Sequence, residues 1–372
     1  SQSNPWKTIT HALSQVASAG KDDPITLQLT VGTFSAANGE TFPLVLKDYV
    51  NLQGSGIDQT LIDGTTAEGV LVAQLLAADG TVGVTLSDLS LQRTQGSASD
   101  DGGGLSVSNR SSLTLQSVQI RDHQGQGKGA GIYLSNSSLT LISVKLVDNL
   151  AALGGGIYSD DAVLLVTESL ISGNWADQGG GIYALTQPPV LDQNDIYSNI
   201  AAAPIIASGQ TFDSHAIYYN GSTNLSARNN FWNRSTANQV SQQVFSATPP
   251  AVIELQPILT SGQYGTPPTV VGQLESGRNY TSDTSPTFVG SASAIPAGSL
   301  EDKFQSGNIQ SEGWQAVSIV SGVGTNTISW SADLTDTLSI GNHQLYLRAT
   351  DSAGNQTIQT LFFTVQMSTV VT

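Results

Sequence analysis

Cysteine is absent from this chain of 372 residues, and charged side chains make up only 11% of it. Without cysteine the chain has no disulfides, no thiolate metal ligands and no cysteine nucleophile. Its 13 lysines and arginines are outnumbered by 29 aspartates and glutamates, which leaves a net charge of −16. Nucleic acids and anionic membranes bind basic surfaces, so this balance argues against both as partners.

Long hydrophobic runs and helical periodicity are also scarce. No apolar stretch approaches the roughly 18 residues of a membrane-spanning helix, so membrane insertion is not expected. One helix is predicted, from residue 6 to about residue 17. Its apolar face consists of Trp6, Ile9, Leu13 and Val16. The rest of the chain alternates apolar and polar residues in short runs between Gly, Asn and Ser turns, a pattern typical of β-strands.

One short phrase recurs at an interval of 25 residues. The three copies are Gly129-Ala130-Gly131-Ile132-Tyr133, Gly154-Gly155-Gly156-Ile157-Tyr158 and Gly179-Gly180-Gly181-Ile182-Tyr183. Three asparagines, Asn149, Asn174 and Asn199, keep the same interval. A unit of this length, made only of short strands and turns, is typical of one coil of a parallel β-helix in which each coil stacks on the last.

Stacking predicts a role for each repeated residue. The three asparagines are expected to form a hydrogen-bonded ladder at one corner, where asparagine tolerates a tight turn. The repeated isoleucines are expected to point into the core, which turns the tyrosines outward as an aromatic stack. Two interpretations of Tyr133, Tyr158 and Tyr183 remain open: cross-strand stabilisation of the sheet, or a contact surface for carbohydrate or for a lateral partner.

At this point the sequence resembles the right-handed β-helix proteins of the pectin-lyase-like superfamily, specifically extracellular members with Gly-Gly-Gly-Ile-Tyr phrases. The opening phrase Asn4-Pro5-Trp6-Lys7-Thr8-Ile9 also resembles an uncharacterised domain family that begins many bacterial extracellular β-helix proteins. The resemblance implies a right-handed parallel β-helix over residues 1–257, with the N-terminal helix as its cap, and a secreted or cell-surface location. It implies no particular chemistry, because this fold carries lyases, hydrolases, epimerases, adhesins and inert surface proteins.

A second domain is predicted after a Pro- and Gly-rich linker at residues 258–268. Short strands at the spacing of a β-sandwich occupy residues 269–366, and a tail of residues 367–372 follows. The phrase Leu347-Arg348-Ala349-Thr350-Asp351-Ser352-Ala353-Gly354-Asn355 resembles the last hairpin of bacterial Ig-like modules. The fold class predicted for the whole chain is therefore all-β, with a parallel β-helix followed by an Ig-like β-sandwich.

Catalytic residues are not identified by the sequence. His123 lies in a phrase that faintly resembles one in pectate lyases, but its position 26 residues before Asn149 predicts a corner residue. The pairs Asp100-Asp101 and Asp160-Asp161 are interpreted as solvated turns. No metal site is predicted from the four histidines, and the sequence implies no cofactor, although Ca²⁺ at Asp283, Asp351 or Asn355 stays open.

Two functions from different classes fit these observations. The first is a non-catalytic extracellular structural or adhesive protein, whose partners are other surface proteins or further copies joined end to end in a filament. The second is a polysaccharide-binding or polysaccharide-degrading enzyme, a lyase or a glycoside hydrolase, on a β-helix scaffold. A basic or carboxylate cluster near residues 201–214 or 95–101 would favour the second function. The sequence favours the first, because recognisable catalytic phrases are missing.

Overall fold

The computed structural model describes residues 5–366 except 98, 203–204, 208–209, 213–215, 235, 248–251, 266, 294–299, 307–308, 311–314, 322–326, 335–336 and 352–355. Two compact units divide the chain, Ser1–Gln263 and Tyr264–Thr372. One of the four histidines, His215, lies outside the described residues, as do Asn355 and the tail 367–372. None of the helices in the described part is both long and apolar enough to span a membrane.

The first unit is a parallel β-helix, as predicted, and its coils form three walls. Two of these walls are continuous in one sheet because two long strands bend round the corner between them. The first wall contains Ile25–Gln28, Val50–Gln53, the first halves of Val82–Gln95 and Ser112–Gln124, Ser138–Ile142, Val163–Thr167 and Val190–Asp192. The second wall contains Gly32–Ser35, Thr60–Asp63, the second halves of the same long strands, Lys145–Val147, Leu170–Ser172 and Asp195–Tyr197.

The third wall is an eight-stranded parallel sheet within the described residues. Its strands are Leu44–Val45, Leu76–Asp79, Leu105–Ser108, Ile132–Ser135, Ile157–Asp160, Ile182–Ala184, Ile217–Tyr219 and Val244–Ser246. Smaller pairs complete the unit: Trp175–Ala176 with Ile200–Ala201, Leu225–Ser226 with Ile253–Glu254, and the antiparallel hairpin Ile205–Ala207 with Gln210–Phe212. The helices are Ile9–Gln15, the 3-10 turn Ala36–Asn38, and Ala237–Ser241.

The register of the third wall stacks each repeated isoleucine on the next. Ile132 pairs with Ile157, Ile157 with Ile182, and Ile182 with Ile217, across an interval that widens from 25 to 35 residues at the last step. All four are fully buried. Since each buried isoleucine contributes roughly 1.5–3 kcal/mol, a column of them stabilises one register over any shifted one.

The N-terminal helix is present, but it is shorter than the predicted span from residue 6 to about residue 17. Thr8 is the N-cap, and its hydroxyl accepts a hydrogen bond from the His11 amide at 3.1 Å, so the first helical residue is Ile9. Trp6 therefore lies before the helix, where 47% of it is exposed, instead of on the buried face. Ile9, Leu13 and the extended Val16 are buried in the core of the first unit.

A single carboxylate attaches this helix to the first coil. Glu40 is only 6% exposed, and its two oxygens accept hydrogen bonds from the amides of Ile9 at 2.6 Å and Thr10 at 2.8 Å, and from the Thr10 hydroxyl at 2.6 Å. The negative charge also interacts favourably with the N-terminal end of the helix. At the other end, the Lys47 ammonium donates to the Val16 carbonyl at 2.9 Å.

The second unit is all-β and contains two mainly antiparallel sheets with one apolar core. The four-stranded sheet has the order Thr269–Leu274, Thr287–Ser293, Thr327–Asp333, Ser318–Ser321. In the other sheet the strands are Tyr280–Thr281, Gln356–Val365, Gly341–Thr350, Leu300–Ser306, Ile309–Gln310 and Gln315–Ala316. The long strands Gly341–Thr350 and Gln356–Val365 pair along their whole length, and residues 352–355 between them are outside the described part.

Glu40→Gln is expected to lower the free energy of unfolding by about 1.5–3 kcal/mol, because hydrogen bonds to a charged acceptor are replaced by bonds to a neutral amide. The loss should be concentrated in the helix, so amide hydrogen exchange of residues 9–15 should accelerate more than that of residues 132–135. Glu68→Gln, at an exposed position, is the matched control. Equal exchange rates in both variants would contradict the proposed attachment.

Candidate functional site

The repeated asparagines form a continuous hydrogen-bonded row inside one corner, between the second and third walls. The Asn149 Nδ2 donates to Asn174 Oδ1, and the Asn174 Nδ2 donates to Asn199 Oδ1, each at 2.9 Å. The same two oxygens accept the backbone amides of Asn149 and Asn174 at 3.1 and 3.2 Å. At most 2% of any of these side chains is exposed. This row, which we call the corner ladder, is therefore a structural element closed to solvent.

His123 and Thr94 continue the corner ladder toward the N-terminus. The backbone amide of His123 donates to Asn149 Oδ1 at 3.2 Å, and its ring nitrogens lie 2.9 Å from the Thr94 hydroxyl (Nδ1) and 3.1 Å from the Leu91 carbonyl (Nε2). A carbonyl only accepts, so Nε2 carries the proton and Nδ1 accepts from Thr94. Complete burial lowers the pKa of His123 to about 3. The neutral ring has both nitrogens engaged and is unsuited to serve as a general base.

A second polar ladder lies at the corner between the first and second walls, and the sequence analysis did not identify it. The Asn194 amide side chain donates to Asn230 Oδ1 at 3.0 Å, and Asn194 Oδ1 accepts the Ser169 backbone amide at 2.9 Å. The Ser169 hydroxyl in turn accepts the Val144 amide at 3.0 Å. The 25-residue step from Val144 to Ser169 to Asn194 was visible, but the insertion before Asn230 lengthens the next step to 36 residues and conceals it.

Two arginines near the corner ladder, Arg93 and Arg121, form ion pairs with the carboxylates of Asp63 and Asp122. Asp63 is 1% exposed and accepts hydrogen bonds from the Arg93 guanidinium, from Gln92 Nε2 at 2.5 Å and from the Thr65 amide at 2.9 Å. Burial raises the pKa of Asp63, but the hydrogen bonds from Thr65, Arg93 and Gln92 outweigh it and hold that pKa below its ordinary value. Arg121 makes an ion pair with Asp122 at 2.6 Å.

On the outer face of the third wall the tyrosines form an aromatic stack that is longer than the sequence repeat. Ring centroids are 5.6 Å apart for Tyr133 and Tyr158, 5.4 Å for Tyr158 and Tyr183, and 4.8 Å for Tyr183 and Tyr218, with interplanar angles of 2°, 11° and 5°. Phe245 ends the row with its centroid 5.1 Å from that of Tyr218. The position of each ring in the row follows from the strand register, which pairs these residues between successive coils.

The faces of the inner rings are covered by their neighbours. Only 3% of Tyr158 and 7% of Tyr183 are exposed, whereas Tyr133 and Tyr218 are partly exposed. A sugar that stacks on an aromatic ring needs a free face, so a sugar would have to contact Tyr133 at the end of the row, because Tyr218 lies between Tyr183 and Phe245. The Lys128 ammonium also lies 5.0 Å from the Tyr158 ring centroid. The stack thus stabilises neighbouring coils directly.

The two acidic pairs, Asp100-Asp101 and Asp160-Asp161, lie beside the third wall, and Asp101 and Asp160 are both close enough to Tyr158 to affect its pKa. Asp101 Oδ1 accepts the Lys128 amide at 2.7 Å, and Asp100 Oδ2 accepts the Ser97 amide at 2.7 Å. Asp160 ends a strand of the third wall, and Asp161 occupies the following turn with φ 48°. Burial, with smaller effects from the charge of Asp160 and the neighbouring rings, raises the pKa of Tyr158. The described contacts make these carboxylates turn residues, and no pair of them is held as an acid and a base.

The outer face of the first wall carries hydroxyls and amides in two columns along the axis. Adjacent coils pair through hydrogen-bonded strands, and the Asn51 carboxamide oxygen accepts the Thr85 amide at 2.8 Å. One column contains Thr26, Asn51, Thr85, Thr114, Thr140, Leu165 and Val190. The other contains Gln28, Gln53, Ser87, Gln116, Ile142, Thr167 and Asp192. Asp192, where the strands of this sheet end, is the single charged residue of these two columns.

The described residues hold no cluster of three or more His, Asp or Glu side chains that could bind a metal ion. Asp283 Oδ1 accepts the Ser285 amide at 2.9 Å, which is a local turn. Residues 201–214, where a basic or carboxylate cluster would favour an enzyme, contain one charged residue in the sequence, Asp213. In the segment 95–101, Asp100 is engaged by Ser97 and Asp101 by Lys128.

Comparison with known proteins identifies a family without an assigned activity. A family model described as a protein of unknown function (DUF1565) matches residues 1–244. The match covers most of the first unit, including the N-terminal helix, both polar ladders and the tyrosines of the aromatic stack. No curated protein matches the chain.

Asn174→Ala is expected to lower the free energy of unfolding by about 1–3 kcal/mol, because buried partners on both neighbouring coils lose their hydrogen bonds. Chemical denaturation should show the loss, and Asn238→Ala, at an exposed position, should change stability by less than about 0.5 kcal/mol. An Asn174→Ala protein as stable as the parent would contradict the role of the ladder.

His123 is expected to make stability depend on pH. Its pKa is about 3 in the fold and near 6.5 in the unfolded chain. The unfolded state therefore binds the extra proton between these values, and stability falls as the pH falls from about 6.5 to about 3, by up to about 1.4 kcal/mol per pH unit. Above pH 6.5 the ring is neutral in both states, and no stability is lost through His123. His123→Asn, which restores a ladder amide, should flatten urea midpoints across this range.

The matched control for this titration is His11→Asn, because His11 is exposed at the N-terminal helix. It should leave the pH profile of the parent unchanged. If His123→Asn and the parent lost stability equally between pH 6.5 and 3, the ring would be accessible to protons in the fold and the corner assignment would fail.

Proposed function

The chain belongs to the DUF1565 family, and from that premise we propose that it is a non-catalytic, extracellular structural or adhesive protein of the cell surface. The observation that carries this proposal is the use of the repeated polar side chains. The side-chain amides of Asn174 and Asn194 each donate a hydrogen bond to the next coil, and the tyrosine rings stack face to face on one another. The repeated side chains hold the successive coils of the first unit together.

The finer features of the fold belong to this proposal. We propose that the coils are right-handed and that the second unit is an Ig-like sandwich of the type found in bacterial surface proteins. The sequence resemblances support both features, and the pairing of the last two long strands with each other supports the second. A low content of charged residues and a polar surface support a secreted or cell-surface location.

End-to-end assembly would require both ends of the rod to open. At the N-terminal end the helix Ile9–Gln15 occupies core that a further coil would need. At the other end one more coil pairs in parallel, with the Leu259 amide donating to the Asn230 carbonyl at 3.1 Å. The segment after this coil turns back, and the Gln263 amide donates to Asp195 Oδ1 at 3.2 Å. The proposal therefore favours adhesion to other surface molecules over a filament of stacked rods.

The column of the first wall that contains Thr85, Thr114 and Thr140 favours a second candidate, binding of a neutral polysaccharide. Thr85, Thr114 and Thr140 present hydroxyls in register along the axis, at the strand spacing of about 4.8 Å. Neutral sugars offer hydroxyls that pair with such groups, whereas acidic sugars meet a chain with a net charge of −16. This candidate places adhesion, without turnover, on one face.

The full chain should release no product from a panel of neutral and acidic polysaccharides, and electron microscopy should show dispersed particles at every concentration. If neutral polysaccharide binds, Thr114→Lys should weaken it at least about tenfold, or 1.4 kcal/mol. Asn238→Lys, at an exposed position in the helix Ala237–Ser241, is the matched control and should bind as the parent does. Product release would overturn the non-catalytic proposal, and ordered filaments would overturn the argument from the closed ends.

A further inference from the structure

The aromatic stack concentrates the oxidisable side chains of this chain. There is no cysteine and one methionine among 372 residues, so tyrosine and tryptophan are the side chains most open to one-electron oxidation. Four of the ten tyrosines stand in one row on the third wall. A secreted protein meets oxidants without the thiol reductants of the cytosol. The row therefore places four oxidisable rings of the first unit next to one another.

We propose that Tyr183 and Tyr218 are a covalent modification site, at which a one-electron oxidant joins neighbouring coils through an intramolecular dityrosine bond. Their centroids are 4.8 Å apart with an interplanar angle of 5°, the closest approach among the tyrosine pairs of the row. The register that pairs these two residues holds them opposite one another. Coupling requires both rings to turn about χ2 until the carbons next to the hydroxyls meet edge to edge.

The chemistry balances with two equivalents of oxidant. Each phenol loses one electron and one proton to give a tyrosyl radical, and the two radicals join through the ring carbons ortho to oxygen. The hydrogens on those two carbons then move to the oxygens and restore both phenols. The product has lost two electrons and two protons in all, and the oxidant, a peroxidase intermediate or a photo-oxidised metal complex, takes up the electrons.

The burial pattern of the row favours an intramolecular bond. Tyr218 is partly exposed and accessible to an external oxidant, whereas Tyr183 is only 7% exposed and cannot reach a second molecule. Stacked rings let an electron vacancy pass from one to the next. Burial also raises the pKa of both phenols, so they are protonated at neutral pH and lose a proton with the electron.

The insertion before Tyr218 adds a reason for this particular pair. The interval from Tyr183 to Tyr218 is 35 residues instead of 25, so the coil between them is the longest in the row. A covalent link across a loop of this length removes conformational entropy from the unfolded chain, as a disulfide does. The bond would fasten the coil in which the insertion interrupts the repeat.

The test exposes the full-length chain to a ruthenium photo-oxidant with persulfate, followed by isolation of the monomer and peptide mass spectrometry. We expect dityrosine fluorescence in the monomer and a linked peptide pair that contains Tyr183 and Tyr218. The mass of this pair should be two hydrogens below the sum of the masses of the two separate peptides. Tyr218→Phe keeps the ring but not the phenol, so this pair should be lost. Tyr280→Phe, at a position 39% exposed in the second unit, is the control and should retain it.

Measurements on the parent protein are sufficient to overturn the proposal. It therefore remains testable even if the Tyr218→Phe variant folds poorly. Dityrosine confined to dimers, or linked pairs that join Tyr280 while Tyr183 and Tyr218 stay unmodified, would show that exposure and not stacking governs the reaction. Retention of the linked peptide pair after Tyr218→Phe would show that the pair was misassigned. An increase in the melting temperature of the oxidised monomer, absent in Tyr218→Phe, would support the proposal.

Discussion

Backbone pairing between successive coils is the constraint on which the first unit depends. Parallel strands in register place each residue about 4.8 Å from its counterpart in the next coil. A repeated residue therefore meets a copy of itself, and its contribution is decided by how well that residue pairs with its own kind. Isoleucine packs in the core, asparagine donates one amide and accepts another, and tyrosine stacks. The 25-residue repeat is the result of these three pairings along one axis.

The same constraint explains why polar groups can be buried at the corners at little cost. Each ladder asparagine uses both its carboxamide oxygen and its Nδ2, with Asn174 also donating to the Leu146 carbonyl at 2.8 Å. Where the repeat fails, as at His123 and Thr94, different side chains complete the same row. Two carboxylates hold flanking segments against the unit: Glu40 binds the N-terminal helix, and Asp195 accepts a hydrogen bond from the Gln263 amide.

Sequence periodicity predicted the parts of this arrangement that repeat without interruption. The parallel β-helix and the N-terminal helix follow from the 25-residue step and from one amphipathic run. The second ladder was missed because Asn194 and Asn230 are 36 residues apart, and Tyr218 and Phe245 were missed for the same reason: insertions change the sequence interval while the backbone register is kept. The helix boundary was placed too early because the Thr8 hydroxyl, and not the apolar pattern, fixes where the helix begins.

What the sequence by itself determined is the fold class and the inward and outward direction of the repeated residues, since alternation along a strand and a fixed interval between coils leave one consistent arrangement. Only the tertiary structure decided how much of each outward residue meets solvent. Tyr158 and Tyr183 point away from the core and are nevertheless buried, because stacking covers both faces of a ring with residues that are distant in the sequence. The row of hydroxyls on the first wall likewise exists only because separate coils bring Thr85, Thr114 and Thr140 into one column.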